Sequence, residues 1–352
     1  MKKIDNILKK ILPQVLYVKI TAFYHFLLHF YFFRNVRNAR KIIPYILKGR
    51  KTIFCNTKIN PVYFFGTFGL SSFKLGGVYL IEALRRIGVN ARSGRNIPAG
   101  TIHDSIIVFV KAGFPEDLRS IKSNQNKIII DVRDNYCSDY GVLNPDFAGR
   151  DIADLLIFPN QALLDRFLEI GSTSSNCLVL YGYPDPAITY FFQQNGYKKI
   201  NELKSCYFGF DYNLDIQKVN NLQKRMSIDI IPLSEFNFNK YLPKLRDVNM
   251  HIDWNPIQEN CLYKPLTKIL IAAECRSNII IKKTPRVLEV LPSDYPFLVE
   301  DNDLETIMER AYTIFNTKQW EDALSVMDSI REKYSFYNHM EQFIDVLKRT
   351  EL

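Results

Sequence analysis

The chain has 352 residues, 47% of them hydrophobic, and a formal charge of +9, a balance that excludes a disordered or fibrous protein. The length suggests two ordinary domains. Six cysteines, Cys55, Cys137, Cys177, Cys206, Cys261 and Cys275, form no C-x-x-C pair and no cluster with histidine. That spacing speaks against a zinc centre or a disulfide framework and for a reducing, cytoplasmic setting.

The charge is uneven. Residues 1–51 hold twelve Lys/Arg and one acid, Asp5, which leaves the rest of the chain slightly acidic. A body that binds nucleic acid carries its basic residues on its folded surface, so no nucleic-acid partner is expected. Between Lys19 and Arg34 runs "ITAFYHFLLHFYFF", uncharged and rich in aromatics. As a helix it reaches about 21 Å, short of the ~30 Å hydrocarbon core of a bilayer. The following "FFRNVRNARK" offers no small-residue cleavage site for a signal peptide. Upstream, Ile4, Leu8, Ile11, Leu12, Val15 and Leu16 recur at helical spacing between Lys2, Lys3, Lys9 and Lys10. Two readings stand: an in-plane anchor on an anionic cytoplasmic leaflet, or a helical subdomain packed on the body.

After Lys51 short apolar runs alternate with helical patterns. "PVYFFG" (61–66) reads as a strand, and "GVYLIEALRRIG" (77–88) as a helix stopped by Gly88. "DSIIVFVK" (104–111) and "NKIIIDVRD" (126–134) are continuous Ile/Val runs, the pattern of strands covered on both faces of a parallel sheet. "ADLLIFPN", "QALLDRFLEIG" and "NCLVLYGY" repeat the alternation up to Tyr183. Residues 183–204 break the rhythm and read as a linker. A second series follows: strands at 206–210, 228–233, 249–254 and 278–282, with helices at 215–226, 239–248 and 265–275. From Asp303 the chain is largely helical. The expected architecture is α/β, two Rossmann-like doubly wound domains facing a cleft, with an N-terminal helical arm and C-terminal helices. The expected division is an arm at 1–51, a first domain at 52–185, the linker at 186–204, a second domain at 205–330 and a last helix at 331–352.

One stretch, "CLYKPLTKILIAAECRSNIII" (261–281), concentrates the chemistry. Lys264 and Lys268 lie four apart on one helix face, at the end where the macrodipole is already positive. Pro265 suits a first helical position, and Thr267 offers a hydroxyl. Two repelling cations at a helix N-terminus make a site for an anion.

In order along the chain, these pieces resemble GT-B glycosyltransferases, the group 1 type that builds bacterial surface polysaccharides. "GTFGLSSFKLGG" (66–77) is similar to the family's first Gly-rich loop, and "VLYGYPDP" (179–186) to its turn between domains. "NII" (278–280), Glu289 and "EDNDLE" (300–305) resemble its strand, its acid after the loop and its acidic turn. The resemblance implies a nucleotide-sugar donor on the second domain and a glycan or lipid-linked acceptor on the first. Donor contacts then fall to Lys264, Thr267, Lys268, Gly209, Asp253, Trp254, Asn255 and Glu289. Gly69, Ser71, Ser72 and Lys74 of the Gly-rich loop would meet acceptor or phosphate. An inverting enzyme needs a base: Asp134 is the first choice, His103 with Asp104 the second, and Asp131 reads as structural. The glutamate pair of many retaining members is replaced by Tyr263 and Ile271. No obligatory metal or other cofactor is expected. The implied location is the inner face of the membrane, with residues 1–51 on its anionic surface. The competing functions are transfer of another group such as pyruvyl, or a non-catalytic scaffold.

Overall fold

The computed structural model describes residues 14–48, 59–66, 71–94, 97–111, 115–133, 141–147, 149–209, 228–232, 238–253, 262–300 and 304–351. Helix α1 spans Gln14–Ile46. Strands β1 (Val62–Phe65), β2 (Ala91–Ser93), β3 (Ile106–Val110), β4 (Lys127–Asp131), β5 (Leu155–Phe158) and β6 (Asn176–Val179) then form a parallel sheet in the order β2-β1-β3-β4-β5-β6. All five residues of β3 are buried, because helices cover both faces of that sheet. Its helices are α2 (Tyr79–Arg86), α3 (Pro115–Lys122) and α4 (Gln161–Ile170).

Helix α5 (Pro186–Asn195) leads to the second sheet. There β7 (Ser205–Gly209), β8 (Ile228–Pro232), β9 (Met250–Asp253), β10 (Asn278–Lys282) and β11 (Leu298–Val299) lie parallel in the order β11-β10-β9-β7-β8. Among its helices are α6 (Phe238–Leu245) and α7 (Thr267–Glu274). Helices α8 (Leu304–Ile314), α9 (Lys318–Lys333) and α10 (Phe336–Glu351) close the chain.

Some boundaries differ from expectation for identifiable reasons. The expected linker holds α5, whose start is set by Asp185: its side chain accepts from the Ala187 N–H at 2.9 Å, and Pro186 follows it. Helix α7 begins at Thr267 with Leu266 as its N-cap, so Pro265 precedes the helix instead of opening it. Strand β2 is a three-residue edge strand with one buried residue, too short to show as an apolar run. The helix expected at 215–226 lies outside the described residues.

Among the described residues apolar packing falls into three clusters, the first of which joins the two sheets: beside first-sheet residues it holds Phe208, Ile231, Leu245 and Ile271. One face of the first sheet packs Phe64 with Ile43 of α1, Tyr79 of α2, Ile188 of α5 and Phe343 of α10. Its other face packs Ile128 and Phe158 with Leu118 and Phe167. The second core gathers Tyr207, Ile279, Phe297, Trp320 and Met327. Helix α10 is last in the chain yet belongs to the first core: the Phe343 ring lies 6.1 Å from Phe64, and Phe336 4.9 Å from Tyr183. The chain therefore crosses between the sheets on α5 and returns on α10.

The arm is a packed helix over its second half. Tyr31, Phe32, Asn35, Ala39, Ile42, Ile43 and Ile46 are buried. The opposite stripe exposes Phe30, Phe33, Arg37, Arg40, Lys41, Tyr45 and Lys48. Among the described residues no helix is long and apolar enough to cross a membrane.

Candidate functional site

In parallel α/β sheets the strand order reverses at a switch point, and ligands bind beyond the carboxyl ends there. The carboxyl edge of the first sheet and the tip of α7 from the second domain meet at one cavity of about 290 Å³. Asp131, Arg133, Tyr183, Asp185 and Lys74 line its first-domain wall, and Pro265, Leu266 and Thr267 the other. Tyr31 and Asn35 of α1 and His339 and Phe343 of α10 complete the lining.

The first-domain wall is built around a widened helical turn. Residues Ser71–Phe73 start the helix, and Lys74–Val78 form a π turn that runs into α2. Such turns recur at functional sites because they redirect side chains. Here Lys74 makes an ion pair with Asp185, which also accepts from the Tyr79 hydroxyl at 3.2 Å. Asp131 accepts from Arg133 Nε at 2.7 Å. A Cβ on Gly76 would sit 2.6 Å from that Nε and 2.8 Å from Val110 Cγ1, so a larger residue there would push the guanidinium aside.

On the second-domain side, α7 has no side-chain cap, since its N-cap is a leucine. Its first N–H groups therefore meet the cavity wall without a side-chain acceptor. The loop before it is held from both domains. Asn160 donates to the carbonyls of Tyr263 and Lys264 at 3.1 and 3.3 Å, and Arg286 donates to Lys264 at 3.2 Å.

Lys268 turns back into its own domain. Its ammonium lies 3.1 Å from Asp253 Oδ1 and 3.8 Å from the centre of the Tyr207 ring. Arg286 approaches the other Asp253 oxygen at 3.9 Å. A Cβ on Gly209 would come within 3.2 Å of the Lys268 ammonium. Gly209 and Asp253 end β7 and β9, the strands flanking the switch point of the second sheet. Burial alone would raise the Asp253 carboxyl, but the Lys268 and Arg286 charges outweigh it and hold the group below its ordinary value. The repulsion between Lys264 and Lys268 is thus relieved by an internal carboxylate.

Three predicted donor residues, Gly209, Asp253 and Lys268, are brought together, and Thr267 faces the cavity. Lys264 uses its carbonyl to fix the loop. Arg286 was missed, since its partners Lys264 and Asp253 lie far from it along the chain. Glu289 is placed elsewhere: it accepts from the N–H groups of Gln161 and Ala162 and from the Tyr181 hydroxyl, each at 2.8 Å. It caps α4 of the first domain from the second, a charge-assisted clasp between them. Glu289→Ala should cost about 2 kcal/mol in urea unfolding. Unchanged stability would show that Glu289 does not clasp the two domains.

His103 and Asp104 are corrected by the strand direction. They are exposed before β3, whose carboxyl end at Val110 is the one nearest the cavity. Ser72 and Lys74 line the cavity, and Ser71 begins the helix that carries them. Asp131, read as structural, also lines it. Asp134, Trp254, Asn255 and Gly69 lie outside the described residues.

Two buried histidines predict acid sensitivity. Burial pushes His251 and His339 down to about 3, with the Lys268 charge adding to the effect at His251. Unfolded histidine titrates near ~6.5. Between these values the unfolded chain binds more protons, so stability is complete above about pH 6.5 and is lost as pH falls towards 3. Each histidine contributes a loss of about 2 kcal/mol at pH 5. Glu274, which burial pushes up to about 7, opposes it over the same range, so the reading is the difference between wild type and His339→Gln in urea melts across pH; an unchanged profile in the variant would contradict it.

No protein-family model matches the chain, and no curated protein matches its sequence. Solved structures share its fold. HepE from Anabaena in complex with UDP superposes with a TM-score of 0.52 at 12% identity, over 76% of this chain and 88% of that one. A glycosyltransferase from Rickettsia africae superposes with a TM-score of 0.56 at 9% identity, over 84% and 99%. An α,α-trehalose 6-phosphate synthase from Burkholderia multivorans gives 0.50 at 10% identity, over 71% and 72%. The chain has the GT-B fold. At these identities the likeness speaks for the fold alone.

Proposed function

We propose that the protein is a glycosyltransferase that moves a sugar from a nucleotide-sugar donor to a glycan or lipid-linked acceptor in cell-surface glycan synthesis. The observation that carries this is the cavity where the uncapped tip of α7 faces the carboxyl edge of the first sheet, in a fold shared with HepE, which was solved with UDP-glucose. The donor diphosphate lies against the α7 tip, where free N–H groups and the helix dipole favour an anion. Thr267 and Lys264 stand at that tip, and donor binding draws the Lys268 ammonium, which lies buried against Asp253, towards the phosphate. Charge builds on the departing nucleoside diphosphate, so these groups bind the transition state more tightly than the donor. The proposal includes no resident metal or cofactor.

The basic arm and the exposed Phe30, Phe33, Arg37, Arg40 and Lys41 stripe support peripheral attachment to an anionic cytoplasmic leaflet. Flotation with phosphatidylserine vesicles tests this; protein that stays with the soluble fraction ends it.

Thermal shift against UDP-, GDP- and CDP-sugars tests the main proposal. One nucleotide sugar should stabilise the wild type, and Lys264→Ala with Lys268→Ala should abolish the response. Stabilisation by phosphoenolpyruvate alone would favour pyruvyl transfer, and no response to any ligand would favour a scaffold.

A further inference from the structure

We propose that Asp131 is the catalytic base that takes the proton from the acceptor hydroxyl, with Arg133 as its positioning residue. This assignment rests on the sugar-transfer proposal and adds the acceptor half of the reaction, including its stereochemistry.

Two carboxylates stand on the first-domain wall of the cavity, Asp131 and Asp185. Asp185 is committed to structure: it caps α5 through the Ala187 N–H, accepts from Tyr79 and pairs with Lys74. Asp131 has a different setting. It is the last residue of β4, an inner strand flanked by β3 and β5, so its backbone is fixed from both sides. The Lys111 N–H donates to its carbonyl at 2.7 Å, and the Val132 N–H to Ile157 at 2.9 Å. Its carboxylate is held at the cavity by Arg133.

Arg133 bears the marks of a residue forced into place. Its φ is +47°, in the left-handed region that non-glycine residues avoid. At the neighbouring strand end Lys111 has a φ of +89°. Such conformations persist where the surroundings over-determine them, and they cluster at functional sites. Here the bend lets the Arg133 guanidinium lie across Asp131, in the space that Gly76 leaves empty. The other ionisable groups lining the cavity are the Lys74–Asp185 pair, Tyr31, Tyr79, Tyr183, His339 and Arg34. Burial keeps His339 neutral at physiological pH.

The step balances as a single displacement. The acceptor oxygen attacks the anomeric carbon as its proton passes to the Asp131 carboxylate. The bond from that carbon to the diphosphate breaks, and its electron pair leaves with the nucleoside diphosphate. The new bond forms on the opposite face, so the anomeric configuration inverts. Water can take the acceptor's place, and the products are then the free sugar and the nucleoside diphosphate.

The test uses UDP-glucose, or whichever nucleotide sugar stabilises the protein most, with water as acceptor. Proton NMR of the wild-type reaction should show the inverted anomer, β-glucose from UDP-glucose, as the first-formed sugar. Asp131→Asn should bind UDP as tightly as wild type and hydrolyse the donor at least about 100-fold more slowly. Arg133→Gln should move the acid limb of the rate profile to higher pH by about one unit, because a neighbouring cation depresses a carboxylate. A purely structural Arg133 would not move that limb. The assignment is overturned by first-formed α-glucose, by near-wild-type hydrolysis in Asp131→Asn, by loss of UDP binding in that variant, or by a wild type that binds the donor and leaves it intact. Absence of nucleotide-sugar binding in the wild type is a separate outcome, and it removes the sugar-transfer proposal itself.

Discussion

Asp253→Ala should destabilise the protein by about 3–5 kcal/mol, the cost of leaving buried charge without its partner. The Asp253 side chain is 6% exposed and faces two cations, Lys268 at 3.1 Å and Arg286 at 3.9 Å. Without the carboxylate the two cations face each other beside the Tyr207 ring, and little solvent reaches them. Asp253→Asn keeps the shape but not the charge, so it should fall between wild type and alanine. Lys268→Met added to Asp253→Ala should recover part of the loss, since it removes one stranded charge. Urea unfolding of the three variants checks this. A loss below about 1 kcal/mol for Asp253→Ala would mean that the cations find solvent or another counter-charge.

Phe343→Ala should cost a comparable amount, about 3–5 kcal/mol, through lost burial and the cavity left behind. Phe343 is 2% exposed, packs against Phe64 of β1 and stacks on His339 at 6.3 Å. Its helix α10 follows the second domain in sequence but seals the core of the first. The truncation should therefore loosen α10 selectively, and limited proteolysis should cut between α9 and α10 before cutting elsewhere. A variant as stable and as protease-resistant as wild type would show that α10 is held by other contacts.

Strands buried on both faces were legible as apolar runs. β3, β4 and β10 stood out because their Ile and Val residues are continuous, whereas β2 has one buried residue and left no trace. Strand–helix alternation also placed the α7 tip at the carboxyl edges, because a helix after a parallel strand starts at that edge. What alternation does not contain is pairing. Lys268 meets Asp253 and Arg133 fills the space above Gly76 only after the chain folds. The family resemblance assigns Glu289 to the donor, whereas its partners, Gln161 and Ala162, lie more than a hundred residues away in sequence. His103 and Asp104 precede the strand they flank, so the rule that ligands meet the carboxyl ends of parallel strands already sets them at its far end from the cleft.

The most direct test is a crystal structure with UDP-glucose bound, or with the nucleotide sugar that stabilises the protein most. The diphosphate should lie about 3 Å from the Thr267 N–H at the α7 tip, with the Lys268 ammonium within about 4 Å of a phosphate oxygen. A nucleotide bound away from that tip, or Lys268 still held by Asp253 alone with the donor in place, would contradict sugar transfer at this site.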